Sequence, residues 1–269
     1  MDSVSEASCI SPLLTQLNAS RARLKKAIHT RQLEMWYQPI VELKTGHVVS
    51  AEALIRWPQP DGRLLSPDSF IPFARETQLL STLTQWVIGQ VFNDLGAWLR
   101  KHPQHAVSIN VEPDDLQSLE LLSHLTPLCH RYGVRPQQIA LEITESSTID
   151  PQVIAPMVER YRQAGHAIYL DDFGSGYANL NYLQTITFDV LKIDKTLVDP
   201  LPGKNLLPQV IDLARSLSLE PLAEGVETQA QAGWLQSHGV KYAQGWLYSK
   251  ALTSRAFMHW CEPRCVTAD

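Results

Sequence analysis

Five carboxylates recur at matching places along the chain, and their type and spacing define the chemistry to consider. Glu52, Glu142, Asp171, Asp172 and Glu224 each fall near the C-terminal end of a short apolar run. Asn110, Lys192 and Gln244 hold corresponding places in other runs, with Arg56, Glu145, Asp194 and Glu227 close by. Carboxylates gathered at one mouth raise one another's pKa and stay ionised together only if positive charge joins them. An all-oxygen donor set with an amide, and without Cys or His, suits a hard cation: Mg²⁺ or Mn²⁺, with Ca²⁺ a further option. The adjacent pair Asp171-Asp172 is a place to hold two ions ~3.5–4 Å apart, a spacing that activates water and clamps a phosphoryl oxygen during in-line displacement. Strand alternation puts Lys192 on one face with Val190 and Asp194. Aimed into the same mouth, its ammonium would orient the attacking water and offset charge developing on the phosphoryl group. Alone, a strand glutamate usually faces solvent and a lysine usually snorkels. Registration across successive strands is what makes one site of them.

Such a site needs a scaffold that brings strand ends together. Eight apolar or alternating runs occupy residues 35–41, 48–57, 106–111, 139–144, 167–172, 189–194, 219–224 and 241–247. Helical spacing appears between them at 79–99, 151–165, 207–218 and 228–239. Strand then helix, repeated without a Pro/Gly/Ser-rich linker, predicts an α/β fold with a helix-covered parallel sheet. Eight strands in roughly 240 residues predict a (β/α)8 TIM-type barrel, whose active sites lie at the C-terminal strand ends. The first two runs are joined by the turn-like Lys44-Thr45-Gly46, so the barrel opens with a hairpin. Residues 1–18 read as a frayed Ser-rich lead, 19–262 as one barrel domain beginning with a basic helix over 18–32, and 263–269 as a tail.

Composition narrows the function classes. The 269 residues are 44% hydrophobic and 19% charged, which is globular, and the net charge of −5 argues against a nucleic-acid polymer as partner. Four cysteines without a C-x-x-C pair fit reduced thiols in the cytoplasm. No apolar run reaches the ~18 residues of a membrane span, and the N-terminus lacks the cationic and apolar regions of a secretory signal. A membrane-anchored or sensor-fused parent would leave this same piece. The nine histidines never fall at metal-ligand spacing, which speaks against zinc. Phe173-Gly174-Ser175-Gly176 lacks the third glycine of a dinucleotide loop and reads as a flexible loop beside the site. Trp86, Trp98 and Trp234 lie at helix-core spacing.

The motifs resemble those of the EAL domain family of cyclic di-GMP phosphodiesterases, over roughly residues 20–262. In order they are YQPIVEL (37–43), EALIRW (52–57), SINVEPDDL (108–116), LEITES (141–146), DDFGSGYANLNYL (171–183), LKIDK (191–195), AEGVET (223–228) and QGWLYSK (244–250). The resemblance implies a modified barrel with an antiparallel first strand, working as a homodimer. It also implies hydrolysis of cyclic di-GMP to linear pGpG, lowering a bacterial second messenger, with Mg²⁺ or Mn²⁺ in a two-metal site. By resemblance Glu52, Asn110, Glu142 and Asp171 ligate the first ion, and Asp171 with Asp172 reaches the second. Lys192 positions the nucleophilic water with Glu224 nearby, and Glu145 braces the loop after the fifth strand. Gln38, Leu54, Arg56, Asn110, Asp194, Glu227 and Gln244 match substrate-side positions. Arg75, Gln78, Glu112, Ser175 and Trp246 depart from the family pattern without removing a ligand. Two rival readings are a catalytically silent cyclic di-GMP receptor or protein-interaction module, and a barrel enzyme using Mg²⁺ and Lys192 in enolate chemistry.

Overall fold

The computed structural model describes residues 20–116, 119–144, 149–176, 180–203 and 206–262. Ten strands form one sheet: β1 (Glu34–Glu42), β2 (Val48–Pro58), β3 (Leu64–Leu65), β4 (Ala106–Asn110), β5 (Ile139–Thr144), β6 (Ile168–Phe173), β7 (Val190–Ile193), β8 (Glu220–Ala223), β9 (Tyr242–Gln244) and β10 (Leu252–Thr253). Their order is β10-β1-β9-β8-β7-β6-β5-β4-β2-β3, and a β1–β2 pairing closes eight of them into a barrel. The neighbours from β2 through β4 to β9 run parallel, whereas β1 is antiparallel to β9, with Ile40 opposite Gln244. The hairpin read at Lys44-Thr45-Gly46 is present, with Glu42 N donating to His47 O at 2.9 Å. The two-residue strands β3 and β10 were not legible in the sequence. They extend β2 and β1 by antiparallel pairing.

The helices are α1 (residues 20–29), α2 (Ile71–Glu76), α3 (Leu80–Lys101), α4 (Pro113–Leu116), α5 (Glu120–Tyr132), α6 (Pro151–Gln163), α7 (Leu180–Thr185), α8 (Lys195–Val198), α9 (Leu207–Ser216), α10 (Gln229–Ser237) and α11 (Ser254–Cys261). The described residues fall into two compact units: 20–35 with Ile55–Val87, and Trp36–Leu54 with 88–262. In the first, α1 buries Leu24, Ala27 and Ile28, and Trp57 meets Phe70 edge-on at 5.7 Å. The second holds the strands that carry the cluster. There β5 buries five of its six residues, and its Ile139, Leu141 and Ile143 are wholly inaccessible. Each such aliphatic side chain contributes about 1.5–3 kcal/mol by leaving water, which fixes the strand that also carries Glu142.

Parallel register aligns the strand ends. Asn110 lies opposite Glu142, and Thr144 opposite Asp171. At the other end of β5, Gln138 Nε2 donates to the carbonyls of Leu99, His102 and His105 at 2.9, 3.2 and 3.0 Å, tying the end of α3 to the sheet. Trp86, Trp98 and Trp234 are half-buried rather than core, because they sit on the flanks of the outer helices. Among the described residues no helix is long and apolar enough to cross a membrane.

Candidate active site

Lys192 stands at the centre of the carboxylate cluster. It is 1% exposed, and its Nζ lies 2.7 Å from Glu142 Oε2, 2.7 Å from Asp171 Oδ1, 2.8 Å from Glu224 Oε1 and 3.6 Å from Glu52 Oε2. These four carboxylates come from β5, β6, the end of β8 and β2, so four separate segments converge on one ammonium. Burial works against the lysine's charge, but the surrounding anions hold its pKa well above the ordinary value. Burial likewise pushes Glu142 up to about 8, with Glu52 and Asp171 adding to the rise and Lys192 opposing it. Burial raises Glu224 well above the carboxylate range. Glu52 also suffers burial, yet Lys192 and hydrogen bonds from Gln244 and Asn110 hold it below its ordinary value. Those amides grip it from two sides, Asn110 Nδ2 on Oε1 and Gln244 Nε2 on Oε2, each at 2.8 Å.

Asp172 joins the cluster through a backbone irregularity. Successive strand residues normally point to opposite faces. Here the β6–β7 register shifts between Leu170 and Phe173, and Asp172 takes φ 57, a left-handed conformation that aspartate tolerates better than most residues. Asp171 and Asp172 therefore line the same cavity. Burial and the neighbouring Asp171 push the Asp172 carboxyl up to about 6.

The donor set fits a divalent cation. Oxygens of Glu52, Glu142 and Asp171 lie within 4.8 Å of one another, as do oxygens of Asp171, Asp172 and Glu224. The Lys192 ammonium meets four of these carboxylates, with Asp172 beside them. Glu142 Oε1, Asp171 Oδ1 and Gln244 Oε1 are buried without a hydrogen-bond donor; Lys192 approaches Asp171 Oδ1 closely but off hydrogen-bond geometry. Buried acceptors of this kind are costly unless something positive meets them. The cluster can hold a metal ion.

A cavity of about 320 Å³ opens over the cluster. Of the residues singled out by sequence, Gln38, Glu52, Leu54, Asp171, Asp172, Lys192, Glu224, Glu227 and Gln244 line it. Glu142 lies wholly buried beneath, and Asn110 reaches the site through Glu52. Asp194 is not in the lining. It caps α8, accepting from Thr196 N at 2.9 Å and Thr196 Oγ1 at 2.6 Å. Arg56 falls in the other unit, where its Nη1 donates to Ile55 O at 2.9 Å. Glu145 lies outside the described residues.

Sequence reasoning missed Lys195, Gly225, Gly245 and Trp246 in the lining. Lys195 bridges Glu227 at 2.8 Å and Asp199 at 2.6 Å. The loop bearing Glu224 and Glu227 is pinned at both ends. Val226 N donates to Gln244 O at 3.0 Å, and Gln231 Oε1 accepts from Glu227 N and Thr228 N at 2.8 and 2.9 Å in the capping box that starts α10. Only glycine fits at 245, since a Cβ there would strike the backbone of Val226. The available signal was position: Lys195 and Trp246 directly follow a site residue or its glycine.

The sequence profile of the EAL domain matches residues 21–251. A protein named Probable cyclic di-GMP phosphodiesterase PdeB, of Escherichia coli (strain K12), is 51% identical over 250 residues, covering 93% of this chain and 48% of the relative. The chain thus spans about half the length of that relative. Among solved structures, the EAL enzyme Bd1971 in its cAMP and cyclic-di-GMP bound form superposes with a TM-score of 0.85 at 28% identity, covering 93% of this chain and 70% of the other. The PaMucR phosphodiesterase in complex with c-di-GMP gives a TM-score of 0.81 at 30% identity, covering 90% and 99%.

Proposed function

The chain belongs to the EAL domain family, and from that premise we propose that it is a metal-dependent phosphodiesterase hydrolysing cyclic di-GMP to linear pGpG. The observation that carries this reading is the convergence of Glu52, Glu142, Asp171 and Glu224 on Lys192 beneath an open cavity. Glu52, Asn110, Glu142 and Asp171 would hold one divalent ion, and Asp171 with Asp172 a second, Mg²⁺ or Mn²⁺ by the hardness of the donors. When bound, such ions supply Lewis acidity toward a phosphoryl oxygen and water.

The protein's own groups do the rest. Lys192 and Glu224, 2.8 Å apart, orient a water for in-line attack. The water oxygen bonds to phosphorus as the bond to the 3′ oxygen breaks. Glu224 takes the water's proton, and the departing 3′ oxygen gains one from solvent. Lys192, surrounded by anions and so kept protonated, offsets charge growing on the phosphoryl oxygens. Gln38, Leu54, Gln244 and Glu227 in the lining orient the dinucleotide. Asp194 contributes by capping α8, beside Lys195. Residues 19–262 act as one catalytic domain. We place the protein in the cytoplasm as a homodimer. Its described cysteines, Cys129 and Cys261, are free thiols, which suits a reducing compartment.

The test is incubation of the purified chain with cyclic di-GMP and Mg²⁺ or Mn²⁺, following pGpG by chromatography with and without EDTA. Product is expected only with metal, and Glu52→Ala is expected to abolish it. No product with either ion from neutral to mildly alkaline pH would refute the reading. Binding without turnover would make the chain a silent receptor instead.

A further inference from the structure

A basic groove lies outside the carboxylate cavity, within the unit that holds α1. Between residues 20 and 33 the sequence carries Arg21, Arg23, Lys25, Lys26 and Arg31 and no acidic residue, in a chain whose net charge is −5. Among the described residues none of these five cations forms an ion pair, whereas other basic side chains in the structure do, such as Arg63, Arg162, Lys195 and Lys241. Three of the five, Arg23, Lys26 and Arg31, line a groove of about 490 Å³ with Gln32, Trp57 and Gln59, opposed by the single carboxylate of Glu34.

The groove is prepared for a ligand in one respect that a solvated helix face is not. The Arg23 guanidinium is held 5.7 Å above the Trp57 ring and donates from Nη2 to Gln59 Oε1 at 2.9 Å. Gln59 is anchored in turn, its Nε2 donating to Trp57 O and Pro58 O at 3.3 and 3.4 Å. Trp57 is 9% exposed and braced by Phe70, so the platform under the guanidinium is rigid. Among the described residues, one of the five N–H donors of Arg23 is used in a hydrogen bond, to Gln59. Arg23 and Lys26 are three residues apart on α1 and so share a face. Immobilising an arginine before binding lowers the entropic cost of using its planar fork, which matches phosphate oxygens.

We propose that this groove binds a free anion with closely spaced phosphates, of the size of an inorganic triphosphate or a nucleoside triphosphate. Three cations against one carboxylate leave an excess of positive charge that several phosphate oxygens, and not a single one, would neutralise. The concave shape and volume favour a compact molecule over the flat surface of a bilayer. The site is independent of the phosphodiesterase reading and stands or falls without it.

The experiment is calorimetric titration of the 269-residue chain with inorganic triphosphate and with GTP. Both are run in EDTA, so that the bare carboxylate cavity repels the titrant. Saturable binding is expected, weakening steeply with added salt. Arg23→Gln and Lys26→Gln should each weaken it about tenfold, and Arg23→Lys, which keeps charge but loses the fork, should fall between. Lys25→Gln, the same charge change on α1 outside the groove, should leave the affinity near wild type. Circular dichroism melting of each variant checks that α1 remains folded. Absence of binding by both titrants, or equal losses in Lys25→Gln and Lys26→Gln, would overturn the site. So would binding only to vesicles of anionic lipid, or displacement by poly-glutamate as readily as by triphosphate.

Discussion

Replacing Lys192 by methionine tests the electrostatic reasoning most directly. The substitution keeps a long unbranched side chain and removes the one cation that meets Glu142, Asp171 and Glu224 at 2.7–2.8 Å and Glu52 at 3.6 Å. Removing one partner from a buried charge network costs about 3–5 kcal/mol, because the anions left behind are uncompensated. At roughly 2–4 °C per kcal/mol for a chain of this order, the metal-free variant should melt about 6–20 °C below wild type. The deficit should also depend on pH in a defined sense. Lys192, with its pKa raised, contributes stability that is fully present below the unfolded lysine value and lost only at more alkaline pH, so it stays charged through the assay range. Glu142 is pushed up to about 8, so the folded chain binds more protons than the unfolded one between the ordinary carboxylate value and about 8. Its contribution to stability therefore falls as pH rises through that window, and the need for a countercharge grows. Thermal melts in EDTA at about pH 6 and about pH 8.5 should show the larger deficit at the higher pH. Equal deficits at both pH values, or a loss under about 1 kcal/mol, would mean that the ammonium is not what makes the cluster tolerable. Turnover should fall by about 10²–10⁴ in either case.

Two further outcomes are expected. Metal binding should release protons, because Asp172 at about 6 and Glu142 at about 8 hold them in the metal-free chain. Apparent Mg²⁺ affinity should then weaken by up to about tenfold per pH unit on acidification through that range, and calorimetry in buffers of differing ionisation heat would show no proton release if this is wrong. Gly245→Ala should cost about 1–3 kcal/mol and lower kcat, since the backbone of Val226, between Glu224 and Glu227, must move aside. An unchanged melting temperature with unchanged kcat would show that the loop has more room than its packing implies.

Much of this architecture was legible because both signals behind it are local. Apolar runs such as Ile139–Thr144 mark strands that must be covered on both faces, and a glutamate inside such a run has no structural reason to be there. Glu142 and Lys192 were found on that ground. What escaped was set by geometry that no local pattern encodes. Alternation would send Asp171 and Asp172 to opposite faces; the register shift and the left-handed residue that reunite them depend on how β6 meets β7. Asp194 follows Lys192 in sequence, but the strand ends at Ile193, so alternation no longer sets its direction and it caps the next helix. The short β3 and β10 carry too few residues for any periodicity to register.

The left-handed turn at Asp172 separates two demands that a single residue usually carries together. Its backbone asks only for a short polar side chain able to live at positive φ, a condition asparagine meets as well as aspartate. Its chemistry asks for a negative oxygen beside Asp171. A one-atom change to asparagine would thus leave the scaffold intact while thinning the charge at the rim, whereas valine would fail on both counts. The fold at this turn and the charge at the rim are thus separable by a single codon step.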